Sequence, residues 1–265
     1  MLFRSNNGSF DAVYSTFRPI HVGEPPAEVP VAGRDELIKE MTVFKERFPN
    51  YAVYARSPLN GILPAAAIDS ALHLKAINFQ SCWIENKGQF NFVLHPLPAQ
   101  AQWAPVYATL PVDIDHDGFI DILMAGNEFS MAPYLGRYDA FNGLLLKGDG
   151  KGNFKPLSIA ESGWYIPGNA KTLIQLNGKE EQLWIAGQNA GPIRVFRQSL
   201  QGKVEALQPQ DRSLVIHLKN GQSRKTEVYT GSGFQSQSTR SILLDASVDH
   251  LEITDQKGNQ RTIRR

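Results

Sequence analysis

Four stretches of the chain repeat one pattern: LFRSNNGSFDAV, SCWIENKGQFNFVLHPL, GLLLKGDGKGNFKPL and IRVFRQSLQGKVEAL. In the first three, an apolar run enters a turn rich in Asn, Asp and Gly and leaves it through Phe10, Phe90 or Phe154, which is how a β-hairpin is written in sequence. The fourth keeps Gly202 but has Val204 where the phenylalanine stood. Recurrence with similar flanks predicts one supersecondary unit reused along the chain. Two more strand patterns, VYATLPVDI and FIDILMAG, precede the third hairpin, so residues 106–157 read as a four-stranded antiparallel unit. KTLIQL, QLWIAG, IRVFRQ and KVEAL repeat that order. Four short strands per repeat, at spacings above about forty residues, predict an all-β fold, a partial β-propeller rather than a two-sheet sandwich. The first copy begins at residue 2, inside an outer hairpin, which implies that Met1 is not the natural start and that upstream blades of a longer parent chain are missing.

Two segments depart from the repeat. GRDELIKEMTVFKERFPNYAVYA reads as one amphipathic α-helix inserted over about 33–56, with Leu37, Met41, Phe44 and Phe48 on a single stripe that packs inward. From residue 211 the chain reads as a small C-terminal β module: LVIHL, KTEVY, SILL and HLEIT alternate as strands, and KNGQ and QKGN are hairpin turns. The predicted division is therefore 1–207 for the blades and 211–265 for the module. The closing RTIRR reads as a solvated tail, and GSGFQS as a tight glycine turn, because its spacing fits neither a nucleophile elbow nor a phosphate loop.

Charge excludes some partners. Lys and Arg total 27 against 26 Asp and Glu, a net charge of +1, so no overall field attracts nucleic acid or an anionic membrane. No window forms a transmembrane segment, and MLFRSNNGSF lacks the regions of a signal peptide. Cys82 is the single cysteine, so an internal disulfide is impossible, and its apolar neighbours predict a buried thiol.

The chemistry concentrates in DIDHDGFIDILMAGN. Asp113, Asp115, Asp117 and Asp121 occupy positions 1, 3, 5 and 9, with Gly118 at the sharp bend. Such a turn can offer Ca2+ three carboxylates, the Phe119 carbonyl and a closing carboxylate. Without a cation, neighbouring acids repel by on the order of 1 kcal/mol per pair near a surface. A helical calcium loop needs Glu at position 12, where this chain has Met124, and the flanks are β-patterned. The reading is a strand-to-strand calcium loop, with a merely acidic turn as the alternative. His116 inside it should face solvent, and the other five histidines show no zinc-ligand spacing. A second loop, GNEFSMAPYLGRYDAFNG, offers Glu128, Arg137, Tyr138 and Asp139 as candidate ligand-binding residues, although a structural loop would look the same.

DIDHDGFIDILMAGN with GLLLKGDGKGNF resembles the FG-GAP or VCBS repeat, the calcium-loop propeller blade of integrin α-subunit heads. TEVYTGSGFQSQS resembles the ASPIC/UnbV domain that follows such blades in bacterial proteins, and the helical insert with PYLGRYDAFNG is similar to Bacteroidetes-type exported VCBS proteins. The resemblance covers about residues 80–265 and implies a cell-surface or secreted location, outside the cytoplasm. It implies Ca2+ held by Asp113, Asp115, Asp117, Asp121 and the Phe119 carbonyl. LLDASVDHLEITDQKGN departs from the usual ASPIC/UnbV ending, and LNGKEEQ shows that the next blade has lost its aspartates. The expected function is a noncatalytic, calcium-binding adhesion-type module for a protein or glycan ligand. The alternative is a polysaccharide-acting enzyme or accessory subunit that uses loops of the propeller face.

Overall fold

The computed structural model describes the chain apart from residues 1, 5–9, 43, 132–135, 201, 232 and 265. It divides into two compact units, residues 1–79 and 80–265.

In the smaller unit, strand β1 (Leu2–Arg4) pairs with β2 (Phe10–Ala12), as the first hairpin pattern requires; its turn lies outside the described residues. β3 (Ser15–Arg18) pairs with β4 (Ala27–Pro30). The expected single helix is replaced by three short ones: α1 (Arg34–Glu40), α2 (Phe44–Arg47) and α3 (Tyr51–Ala55). Met41, with φ −133° and ψ 89°, ends α1 just before the β-branched pair Thr42–Val43, a poor helix-forming sequence. Pro49 removes the next amide donor, and the Asn50 side chain accepts a bond from Val53 N at 3.0 Å to start α3 afresh. The Arg34 guanidinium donates to Phe48 O at 2.6 Å and satisfies a carbonyl freed by the break. The apolar stripe itself is observed. Leu37, Phe44 and Phe48 are buried with Val13, Leu59, Ile62 and Leu63, the last three from the region of α4 (Leu59–Ile62); Met41 packs at the edge, and α5 (Ala65–Asp69) adds Ile68.

The larger unit begins with a hairpin of β5 (Cys82–Asn86) and β6 (Phe92–Pro96), as the second pattern predicts. Cys82 is half-buried rather than buried. One face of this hairpin turns Trp83 inward, while Ile84, Phe92 and Leu94 remain exposed on the other. β7 (Val106–Val112), β8 (Asp121–Gly126), β9 (Leu144–Gly148) and β10 (Phe154–Leu157) form the predicted four-stranded up-and-down sheet. Its central strand β8 is buried on both faces. Alternation sends Leu123 and Ala125 into a core with Leu145, Trp164, Leu173 and Trp184. Met124 goes to the opposite core, with Leu97, Ala101, Phe141, Leu144 and Leu146. A strand covered on both sides must be apolar almost throughout, which is why DILMAG carries its only charge at its first position.

After α6 (Ile159–Ser162), β11 (Ala170–Asn177), β12 (Glu181–Gln188) and β13 (Arg194–Ser199) form a second antiparallel sheet against the first core. Here the expected repeat fails. β14 (Lys203–Ala206) does not close a hairpin with β13; it pairs with β17 (Ser241–Leu244) in the C-terminal region. A Cβ at Gly202 would lie 2.4 Å from Leu244 O, so the glycine admits the close backbone approach that begins this pairing. Leu244, fully buried, then anchors the pair in the C-terminal core.

That core lies on one face of a sheet ordered β16–β15–β18–β19, from β15 (Asp211–Leu218), β16 (Ser223–Glu227), β18 (Val248–Asp255) and β19 (Gln260–Arg264). Both predicted hairpin turns are present: Leu218 N donates to Gln222 O, and Asp255 N to Asn259 O. RTIRR is not a free tail. Its first four residues belong to β19, and Arg261 grips buried Asp211 with two bonds of 2.5 Å. This fork-to-fork geometry draws the Asp211 carboxyl below its ordinary range.

The chain is therefore mainly β, in seven small antiparallel sheets among the described residues. Among the described residues only one sheet has the sequential four-strand order of a blade, and no closed ring of blades is present. No described helix is long and apolar enough to cross a membrane. The boundary expected near 207–211 falls inside the larger unit, just after strand β14, which pairs into the C-terminal region. Leu123 has no exposed surface. We expect Leu123→Ala to lower unfolding free energy by about 2–5 kcal/mol in chemical denaturation, the cost of a core cavity.

Candidate metal centre

The aspartate loop joins β7 to β8, with Val112 and Asp121 paired across its base. Two left-handed residues, His116 at φ +61° and Gly118 at φ +94°, fold it into a compact turn. Asp113 Oδ2 accepts from Gly118 N at 3.0 Å, and Asp117 Oδ1 from Phe119 N at 2.9 Å, so the acids bind their own turn. One carboxylate oxygen each from Asp113, Asp115 and Asp117 lies within 4.8 Å of the others.

Asp121 does not join that cluster. It is fully buried, and its oxygens accept from Ile114 N at 3.0 Å and Gly148 N at 2.9 Å. It ties the loop to β9 at the base of the turn. Phe119 packs its ring against Gly150 in the next turn. Burial pushes the Asp113 and Asp121 carboxyls above the ordinary carboxylate range, despite the bonds that favour their charged forms. A raised pKa means that stability present at low pH is lost as these acids ionise, so a nearby cation would offset a real cost.

The loop has three partners that spacing did not reveal. Lys147 on β9 forms ion pairs with Asp115 and, at 3.4 Å, with Asp117. Arg224 on β16 donates to Gly118 O at 2.9 Å and meets Asp113 Oδ2 at 3.3 Å. His116, expected in solvent, instead places Nδ1 3.0 Å from Asp245 Oδ2, with 17% of its side chain exposed. The reason is tertiary: the C-terminal sheet covers this side of the loop, and nothing local in DIDHDG announces it.

The residues present fit a hard cation. Asp113 Oδ1 is buried and has no hydrogen-bond partner. Three clustered carboxylates, one of which also carries an unsatisfied buried oxygen, form a donor set suited to Ca2+. Lys147 is the built-in competitor for the same charges.

The second candidate group is only partly assembled. Glu128 and Tyr138 pair as an antiparallel bridge, and the Arg137 guanidinium lies 5.0 Å from the Phe129 ring centre. Asp139 is exposed, and residues 132–135 between them lie outside the described set. Glu128 is committed to structure: Lys171 Nζ donates at 2.7 Å, Tyr107 OH at 2.5 Å and Ser130 N at 2.7 Å. Led by the Lys171 bond, these hold its carboxyl down at about 2. It is ionised at neutral pH and cannot serve there as a general acid.

Because the folded value of Glu128 lies below the ordinary 4.5, its contribution is present above that value and disappears as pH falls toward about 2. Melting temperature should drop through this window in the parent chain, and Glu128→Gln should remove that part of the pH dependence. Comparison of the sequence with protein-family models and with curated proteins gives no match to either.

Proposed function

We propose that the chain is a noncatalytic, calcium-stabilised β-propeller module that works outside the cytoplasm and binds a protein or glycan partner. The observation that carries the calcium part is the Asp113–Asp115–Asp117 cluster, in which Asp113 also keeps a buried Oδ1 with no hydrogen-bond partner. The blade reading is supported by the β7–β10 sheet, which has apolar clusters on both faces: one meets β11 and β12, the other Trp83 of β5 with Leu97, Ala101 and Phe141. A sheet of this kind stacks between others rather than facing water. Cell-surface location and adhesion rest on the FG-GAP/VCBS and ASPIC/UnbV resemblance.

Calcium has a structural role in this reading. The loop touches β9 through Lys147 and β16 through Arg224, so an ion there would fix the turn against which the C-terminal sheet rests. Partner binding falls to the open surface beside it, a cleft of about 700 Å³ lined by Trp83, Glu85, Phe119, Asp149 and Arg224. Aromatic and charged groups of this kind suit a glycan. The polysaccharide-acting alternative needs a carboxyl that can give up a proton near neutrality, and the Glu128 environment argues against that residue in the role.

Calorimetric titration of chelator-treated chain with Ca2+ tests the proposal. One equivalent should bind, and at about 100 times Kd the folded state should gain about 2.7 kcal/mol. Asp113→Asn and Asp115→Asn should each abolish the uptake, while Lys147→Gln, by removing the competing ammonium, should tighten it. Absence of heat together with an unchanged melting temperature would reduce the loop to an acidic turn neutralised by Lys147 and Arg224.

A further inference from the structure

The register of the C-terminal sheet brings together three side chains that sequence spacing keeps apart. His217 on β15 stands directly opposite His250 on β18. Glu252 shares the face of His250, because side chains two residues apart on a strand point the same way. This is the face turned from the core, since Leu214, Ile216, Leu218, Leu251 and Ile253 fill the other. The imidazoles stack with centroids 4.2 Å apart and planes 8° from parallel. His217 Nε2 lies 3.5 Å from Glu252 Oε2, and His250 Nε2 lies 4.0 Å from Glu252 Oε1. One donor atom from each residue falls within 4.8 Å of the others.

These separations are too long for good hydrogen bonds, and His217 Nε2 is buried with no hydrogen-bond partner. They are of the size a metal site needs: ligands at about 2.0–2.1 Å from a tetrahedral ion stand roughly 3.4 Å apart, and binding would turn the stacked rings out of parallel so that both in-plane Nε2 lone pairs meet one ion. His250 is already oriented: its Nδ1 is 2.7 Å from Asp249 Oδ2. A ring that donates its Nδ1 proton to a carboxylate presents Nε2 as a lone pair, the form that ligates metal. Arg264 stands opposite His250 on β19 and opposes a cation electrostatically.

We propose that His217, His250 and Glu252 bind one zinc ion, with Asp249 as the positioning residue for His250. Two imidazoles and one carboxylate favour Zn2+ over Ca2+, which separates this site from the aspartate loop. Glu252 keeps 47% of its side chain exposed, leaving the fourth coordination position open to water. Linear motifs do not encode such a set, because these three residues are brought together by strand pairing.

The test uses the full chain and Zn2+ alone. Calorimetry should show one equivalent bound, weakened at least about 100-fold by His217→Ala or His250→Ala and about 10–100-fold by Asp249→Asn. His21→Ala should change nothing. Co2+ should give the intense visible bands of a tetrahedral ion. Should the alanine variants fail to fold, nitrogen NMR of the parent chain's imidazoles decides: Zn2+ should shift Nε2 of His217 and His250 and leave the other four histidines of the six in place. Zinc that binds with unchanged affinity in folded His217→Ala and His250→Ala, or that shifts other histidines instead, overturns the proposal.

Discussion

The larger unit depends on one strand being buried on both faces. β8 sends Leu123 and Ala125 to one core, with β11 and β12, and Met124 to another, with Trp83, Leu97, Ala101 and Phe141, so a six-residue segment is covered from both sides. Apolar burial is worth roughly 25 cal/mol per Å², and this arrangement lets one strand contribute to two cores at once. It also explains the position of the acids. A strand with no polar face can carry charge only at its ends, and Asp121 sits at the first residue of β8, where backbone amides of Ile114 and Gly148 meet it.

The aspartate loop lives at the boundary between that apolar strand and solvent. Its outer acids, Asp115 and Asp117, are screened by water and by Lys147. Its inner acid, Asp113, gains Arg224 on one oxygen and nothing on the other. The loop thus mixes two electrostatic regimes within five residues, and this asymmetry, rather than the number of acids, makes a cation useful there. The same loop carries the contacts to the C-terminal sheet, so charge balance and sheet-to-sheet attachment are coupled through His116, Asp245 and Arg224.

Much of the β architecture was legible because hairpins are local. Alternation, glycine turns and short spacing found β5–β6, β9–β10 and both hairpin turns of the C-terminal sheet. The helical insert was half legible: periodicity identified Leu37, Phe44 and Phe48 as core but not the interruptions at Met41 and Pro49, where backbone preference overrides a continuing stripe. β14 was misassigned because its neighbour in sequence, β13, is not its neighbour in space. The partners Lys147, Arg224 and Asp245 lie from about thirty to well over one hundred residues from the loop, and the His217–His250 contact depends on register between distant strands. No local pattern marks contacts of that kind.

The diverted strand β14 leaves a mark on the sheet it abandons. β13 has no partner on its far side among the described residues, so its outward amides and carbonyls must be hydrated. A bare, partly apolar border of this sort, with Val195 half exposed, is the kind of template on which chains stick together during folding. Arg194 and Arg197 lie on this border. Charge on a bare strand disfavours pairing with a second chain; on β13 Arg197 carries part of that charge in a pair with Glu181 at 3.4 Å, so the edge left without a mate is not purely apolar.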